Sequence, residues 1–263
     1  ATTRDPADPA LLAAQAKDAA LLAKVVNDFL AAAGANVVVT DIYEEGANKV
    51  ASEIGGLAIP CDISNEQAVN ELVKRANDEL GPVDVFFSNA GIATGSDPLE
   101  TPIDVWNDQW QVNVMAHVFA VRAVLPSMLE RGEGYLIHTA SMAGILTSHG
   151  NLPYAATKHA VVGLAEWLSV TYHDKGLRVS LLPPLGVNTP MLNNADSAFA
   201  TIAAGPIKEP EEVAQQVVDA VAAEQFLILT DPIAQTWMER KTNDIERWLT
   251  GMRRMQSKID SMK

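Results

Sequence analysis

Six short apolar runs recur along the chain: NVVVTD at 36–41, LAIPCD at 57–62, VDVFFSNAG at 83–91, GYLIHTAS at 134–141, RVSLLPP at 178–184 and FLILTD at 226–231. Each is nearly continuous in hydrophobicity, as a strand buried on both faces requires. Longer stretches with helical spacing separate them. One is EQAVNELVKRANDEL at 66–80, with Ala68, Leu72 and Ala76 on one stripe and a capping-box pattern, Ser64 and Gln67, at its start. Strand and helix alternating along one chain predict an α/β fold, a doubly wound parallel sheet between two helical layers. In such a sheet ligands sit beyond the carboxyl ends of the strands, so functional residues are to be sought just after each run.

A chain of 263 residues is near the upper size for one hydrophobic core, and no internal repeat or linker divides it. It reads as a short tail at 1–9 and a single domain at 10–263, with an irregular first unit at 10–33 and a helical extension at 233–262. In that extension Trp237, Ile245, Trp248, Leu249, Met252, Met255 and Ile259 recur at helical spacing and are expected to pack on the body or on a second subunit. A formal net charge of -14 repels phosphate and anionic lipid, which argues against nucleic-acid and membrane-surface partners. The only cysteine, Cys61, leaves no disulfide framework and no cysteine-based metal site. No run of about 18 apolar residues and no basic leader is visible, so a cytoplasmic protein is expected.

The residues that carry chemistry fall where the sheet argument places them. In YAATK, Lys158 follows Tyr154 by four residues, which on a helix stacks the ammonium one turn from the phenol. A phenol titrates at about 10 and an adjacent cation favours the phenolate. Ser141 ends the fourth run, Asn89-Ala90-Gly91 ends the third, and Asn113 sits in the helical stretch WNDQWQVNVMAHVFAVRAVL. This constellation resembles the short-chain dehydrogenase/reductase family over about residues 30 to 231.

The resemblance implies a three-layer Rossmann-like fold and an oxidoreductase that moves hydride between NAD(H) and a secondary alcohol or ketone. Tyr154 would be the general acid/base and Lys158 would lower its pKa and hold the nicotinamide ribose. Ser141 would position the substrate oxygen, and Asn113 would hold a water linking Lys158 to solvent. Asp41 ends its strand where a carboxylate accepts the ribose hydroxyls. No arginine follows it, so NAD is preferred over NADP. Ile42, Asp62, Ile63, Asn89, Ala90 and Gly91 would line the adenosine side. Val187 and Thr189 would meet the carboxamide, although the family's Pro-Gly is here Pro184-Leu185 with the glycine one place later, at Gly186.

The substrate pocket is expected at Ile92, Met142, His149, Asn151, Leu152 and Met191. Several of these are apolar, which suits a partly hydrophobic small molecule. The segment 188–206 reads as a lid, and no group of residues has metal-ligand spacing. The family implies a homotetramer or homodimer built through helices at about 104–130 and 153–175. One feature departs from the pattern. The first of the 16 glycines is Gly34, and Lys17, Leu21 and Ala23 occupy the places of the family's phosphate-loop glycines. Lys17 or Lys24 would then serve the pyrophosphate as a point charge. The alternative is a scaffold or binding protein, or a cofactor-independent enzyme like the halohydrin dehalogenases. Those enzymes carry arginine in place of the motif lysine, whereas Lys158 is retained here.

Overall fold

The computed structural model describes residues 24–32, 34–193 and 204–262. The tail at 1–9, the positions Lys17, Leu21 and Ala23, and residues 194–203 of the expected lid lie outside the described residues. A helix at 24–32 (α1) precedes β1 (Val38–Val39), α2 (Glu44–Ile54), β2 (Leu57–Ala58), α3 (Glu66–Leu80) and β3 (Val85–Ser88). Then α4 (Ile103–Trp110), a π turn (Gln111–Met115) and α5 (Ala116–Arg131) run on as one helix into β4 (Gly134–Thr139). The rest comprises α6 (Ala143–Leu146), α7 (Leu152–Tyr172), β5 (Leu177–Leu182), α8 (Pro190–Asn193), α9 (Pro210–Ala222), α10 (Pro232–Asn243) and α11 (Ile245–Asp260).

Five of the six apolar runs form strands and every strand pair is parallel. Among the described residues they make two sheets, β1–β2 and β3–β4–β5. The sixth run, at 226–231, touches the second sheet at a single parallel bridge, Leu181 to Leu227. Two backbone bonds secure it, from the Leu181 amide to the Phe226 carbonyl at 2.6 Å and from the Ile228 amide to the Leu181 carbonyl at 2.9 Å.

Period-two alternation sorts the core into layers. On β4, Tyr135 and Ile137 face α1 and α9, against Val26, Val213 and Val217. Leu136 and Ala140 face the other way, with Val179 and Leu181 of β5, against Val124 of α5 and Val161 and Leu168 of α7. Helices therefore cover both faces, as the apolar runs predict. The 29-residue helix Ile103–Arg131 is long and apolar enough to cross a bilayer by length and composition, a run that the residue-by-residue count misses. Half of its most apolar window is buried in the body.

Two local expectations change. The N-cap of α3 is Asn65, whose side chain accepts from the Ala68 amide at 3.1 Å. Ser64 is diverted because its hydroxyl and its amide both donate to Asp62 Oδ1, at 2.6 and 2.9 Å. The C-terminal stripe docks through Trp237 and Trp248 onto Met142 and Leu146, with Ile259 buried, while Ile245 and Leu249 stay largely exposed.

Gly176, in the turn before β5, has φ +88°, and a Cβ there would overlap the carbonyl of Gly132, the turn before β4. Both the dihedral and the contact exclude a side chain. Gly176→Ala is therefore expected to destabilise the fold by about 3 kcal/mol, read as a lowered denaturation midpoint.

Candidate active site

The carboxyl end of β4 organises the site. The Lys158 ammonium, on a residue 3% exposed, donates to the Thr139 carbonyl at 3.0 Å. The Thr139 hydroxyl in turn donates to Asn89 Oδ1 at 2.9 Å, fixing the end of β3 to the end of β4. Lys158 Nζ lies 5.7 Å from the centre of the Tyr154 ring, one helical turn away, as the i, i+4 spacing requires. The Ser141 side chain is near enough to the Tyr154 phenol to favour its ionised form. Ser141 also accepts from the Ala143 amide at 3.1 Å. Gly144 lets this segment close on α7, since a Cβ there would overlap the Lys158 carbonyl. Tyr154, Lys158, Ser141 and Asn113 are thus brought together from β4, α7 and the π turn.

Burial governs the electrostatics. It lowers the Lys158 pKa to about 8. It also raises the Tyr154 phenol above its ordinary value, and the nearby Ser141 side chain only partly opposes this. In the resting site desolvation is the largest influence on the phenol, so its net shift is upward despite the neighbouring cation.

The Asn113 side chain is buried and fully bonded. Its amide donates to the Ile92 carbonyl at 2.8 Å and to Thr157 Oγ1 at 3.2 Å, and its Oδ1 accepts from the Ile92 amide at 2.8 Å. With both N–H donors committed, the side chain clamps the loop after β3. Thr157, which donates to the Tyr154 carbonyl at 2.9 Å, completes the clamp. Gly91 lies against it. A Cβ there would stand 3.1 Å from Asn113 Oδ1 and 3.3 Å from Lys158 Nζ, so the close approach suits glycine.

Asp41 is half-buried at the end of β1, with Oδ1 accepting from the Tyr43 amide at 2.8 Å, and desolvation raises its pKa. Ile42 and Asp62 are exposed nearby in sequence, Ile63 is half-buried, and the Cys61 amide joins the two strand ends by donating to the Asp41 carbonyl at 3.0 Å. Asn89 is half-buried and Ala90 exposed. The turn with the displaced glycine is held by residues 204–208: the Gly186 amide donates to the Ala204 carbonyl and the Asn188 amide to the Lys208 carbonyl. Val187 is buried there in the core, and Thr189 donates back to the Val187 carbonyl at 2.7 Å. Lys24 pairs with Asp28 and Glu53 at 3.0 Å each, so it is not a free charge for a phosphate.

The expected substrate residues scatter. Ile92 and Met142 are core residues, Met142 packing with Leu146 and Ala234. Asn151 caps α7 by accepting from the Tyr154 amide at 2.9 Å, and Leu152 is 43% exposed. Met191 is half-buried in α8. His149 bonds Gln256 of α11 at 2.8 Å, beside a cavity of about 230 Å³ that Met252 and Arg253 also line. Sequence reasoning missed His117 and His138, 1% and 0% exposed, whose Nδ1 atoms meet at 2.9 Å. Their places in an α5 stretch and a strand look like ordinary core positions, and only the fold brings them together.

The carboxyl ends of the parallel strands thus gather a buried lysine, a tyrosine one helical turn from it and a neighbouring serine in one α/β site. Residues 22–199 match the family model for short chain dehydrogenases. The chain is 33% identical over 226 residues to 1-deoxy-11-beta-hydroxypentalenate dehydrogenase of Streptomyces exfoliatus, covering 82% of each. It is 34% identical over 203 residues to 2,5-dichloro-2,5-cyclohexadiene-1,4-diol dehydrogenase of Sphingobium indicum, covering 73% of this chain and 81% of that one. Among solved structures it superposes with a TM-score of 0.77 on a short chain dehydrogenase/reductase from Burkholderia phymatum in complex with NAD, at 26% identity over 86% of this chain and 90% of the other. The TM-score is 0.73 with 3-ketoacyl-(acyl-carrier-protein) reductase from Brucella melitensis complexed with NADH, at 27% identity over 79% and 90%. The chain belongs to the short-chain dehydrogenase/reductase family, with a Rossmann fold and the family's general activity, oxidoreduction of alcohols and ketones by hydride transfer.

The histidine pair sets an acid limit on the fold. Burial lowers His138 to about 4, and burial, His138 and Lys158 lower His117 well below the usual imidazole range. Folded pKa values below the unfolded value of about 6.5 mean that the unfolded chain binds more protons. Stability is then complete above that value and falls as the pH drops toward 4, by about 1.4 kcal/mol per pH unit for each imidazole that stays neutral. Calorimetry across this range is expected to show the loss, and a His117→Leu/His138→Leu double variant is expected to show a shallower one.

Proposed function

We propose that this chain is an NAD(H)-dependent oxidoreductase that interconverts a secondary alcohol and a ketone, with Tyr154 as the general acid/base. The observation that supports this best is the Lys158 ammonium held by the Thr139 carbonyl one helical turn from the Tyr154 phenol, with Ser141 close to that phenol. The residues that would hold the cofactor are Asp41, Ile42, Asp62 and Ile63 at the ends of β1 and β2, Asn89 to Gly91 after β3, Tyr154 and Lys158 on α7, and Val187 and Thr189 after β5. The notch at Gly91 beside Lys158 and the half-buried Asp41 carboxylate at the end of β1 fit a ribose on each side. When bound, the nicotinamide supplies or accepts the hydride.

The chain's own part is the proton and the positioning. In the direction of reduction, Tyr154 gives its proton to the substrate oxygen while the Ser141 hydroxyl fixes that oxygen in place. The nearby Lys158 charge stabilises the phenolate that forms, in a site where low dielectric strengthens the attraction. In the direction of oxidation Tyr154 takes the proton back. Burial keeps the phenol protonated at rest, the form that donates in the direction of reduction.

Relatives named for dehydrogenases of hydroxylated carbocycles and diols support a partly hydrophobic alcohol as substrate. The carboxylate Asp41, with no arginine following, favours NAD over NADP. A net charge of -14 and the buried face of the Ile103–Arg131 helix support a cytoplasmic protein with no nucleic-acid or membrane partner. Trp167 and Val170, 57% and 85% exposed on α7, support a homodimer or homotetramer that covers this helix.

Calorimetric titration with NADH is expected to give saturable heat, and its absence at millimolar cofactor would favour the cofactor-free reading. Tyr154→Phe is expected to abolish turnover and leave NADH binding within about twofold, since the lost hydroxyl acts in the transition state. Light scattering is expected to report a dimer or larger, and a Trp167→Glu/Val170→Glu variant is expected to run as a monomer.

A further inference from the structure

We infer that the His117–His138 hydrogen bond is a positioning element for Lys158, fixing the distance between the two elements that hold the lysine. His138 is the residue before Thr139, whose carbonyl accepts the Lys158 ammonium. His117 follows Asn113 by one helical turn, and Asn113 Oδ1 and Lys158 Nζ flank the same Gly91. The bond at 2.9 Å, with the rings 5.2 Å apart and tilted by 38°, therefore ties α5 to β4 directly beneath the lysine.

The chemistry of the pair argues against a packing role. It is fully buried on the face of the sheet where Val121, Leu136, Ala140 and Val161 form an apolar cluster. Only one proton fits between two Nδ1 atoms, so one ring donates and carries a bare Nε2, while the other accepts and carries its hydrogen on Nε2. Among the described residues both Nε2 atoms lack a partner. An unpaired buried donor and acceptor cost stability that two leucines would not. What the pair supplies is direction: a hydrogen bond sets a distance and an angle, and apolar contact does not. Lys158 is near enough to oppose protonation of His117, and Tyr154 is the other titratable group facing Lys158, from its own helix. The pair is therefore a neutral strut beneath a charge.

The inference rests on the catalytic reading of Lys158 and is tested separately from it. The Cε resonance of Lys158 in ¹³C-lysine-labelled protein, assigned against Lys158→Met, reports the lysine's titration without turnover. In the double variant His117→Leu/His138→Leu the core stays apolar and filled, and a higher melting temperature above pH 6.5 is expected. Without the strut the Thr139 carbonyl drifts from the ammonium, so Lys158 is expected to titrate below its native value. The rate kcat is expected to fall about tenfold with KM little changed, as for a misplaced catalytic group. His138→Asn, whose carboxamide reaches the Nδ1 position, is expected to restore both toward the parent. A folded double variant with unshifted lysine titration overturns the inference, whether or not the protein turns over alcohols. Shifted titration in a protein with no turnover at all would sink the catalytic reading and leave the strut standing.

Discussion

The structure depends on keeping one ammonium group out of water. Lys158 sits where β4 ends, its charge answered by the Thr139 carbonyl and faced by the Tyr154 ring. Such a group is costly to bury, and its pKa near 8 records the cost. The arrangement survives because each neighbour is fixed by something else. Thr139 is tied to Asn89, Asn113 is clamped to both backbone groups of Ile92, and Gly144 allows the segment after Ser141 to press against α7. Strand register and helix packing thus converge on one atom.

The layered architecture was legible in the sequence because parallel strands buried on both faces must be continuously apolar, and five of the six runs are strands. The sixth, FLILTD, has the right composition, but only Leu227 reaches the bridge, because pairing depends on the neighbour's exposed edge as much as on propensity. The cap of α3 was misread by one residue. Ser64 and Asn65 are both good caps, and the choice fell to Asp62, which takes the serine hydroxyl first.

The site was legible as a set of residues more than as a set of roles. Tyr154, Lys158, Ser141 and Asn113 do converge, since helical spacing and strand ends fix their positions. Their electrostatics did not follow from spacing, because desolvation depends on what covers a group. The phenol moves up where the neighbouring cation suggested down. The loop residues Met142, Asn151 and His149 are held by packing, by a helix cap and by a bond to the C-terminal helix, contacts that depend on the fold and not on their spacing in the sequence.

The π turn at Gln111–Met115 has a geometric consequence. Residues four apart on an α-helix advance by about 40° too far per step, so a column at that spacing winds off its face within a few turns. Here Val105, Gln109, Asn113, His117 and Val121 are all buried at four-residue intervals. A wider turn in the middle absorbs the excess angle. It works as a phase correction, keeping an amide, a second amide and an imidazole in one file along a helix that would otherwise turn one of them toward solvent.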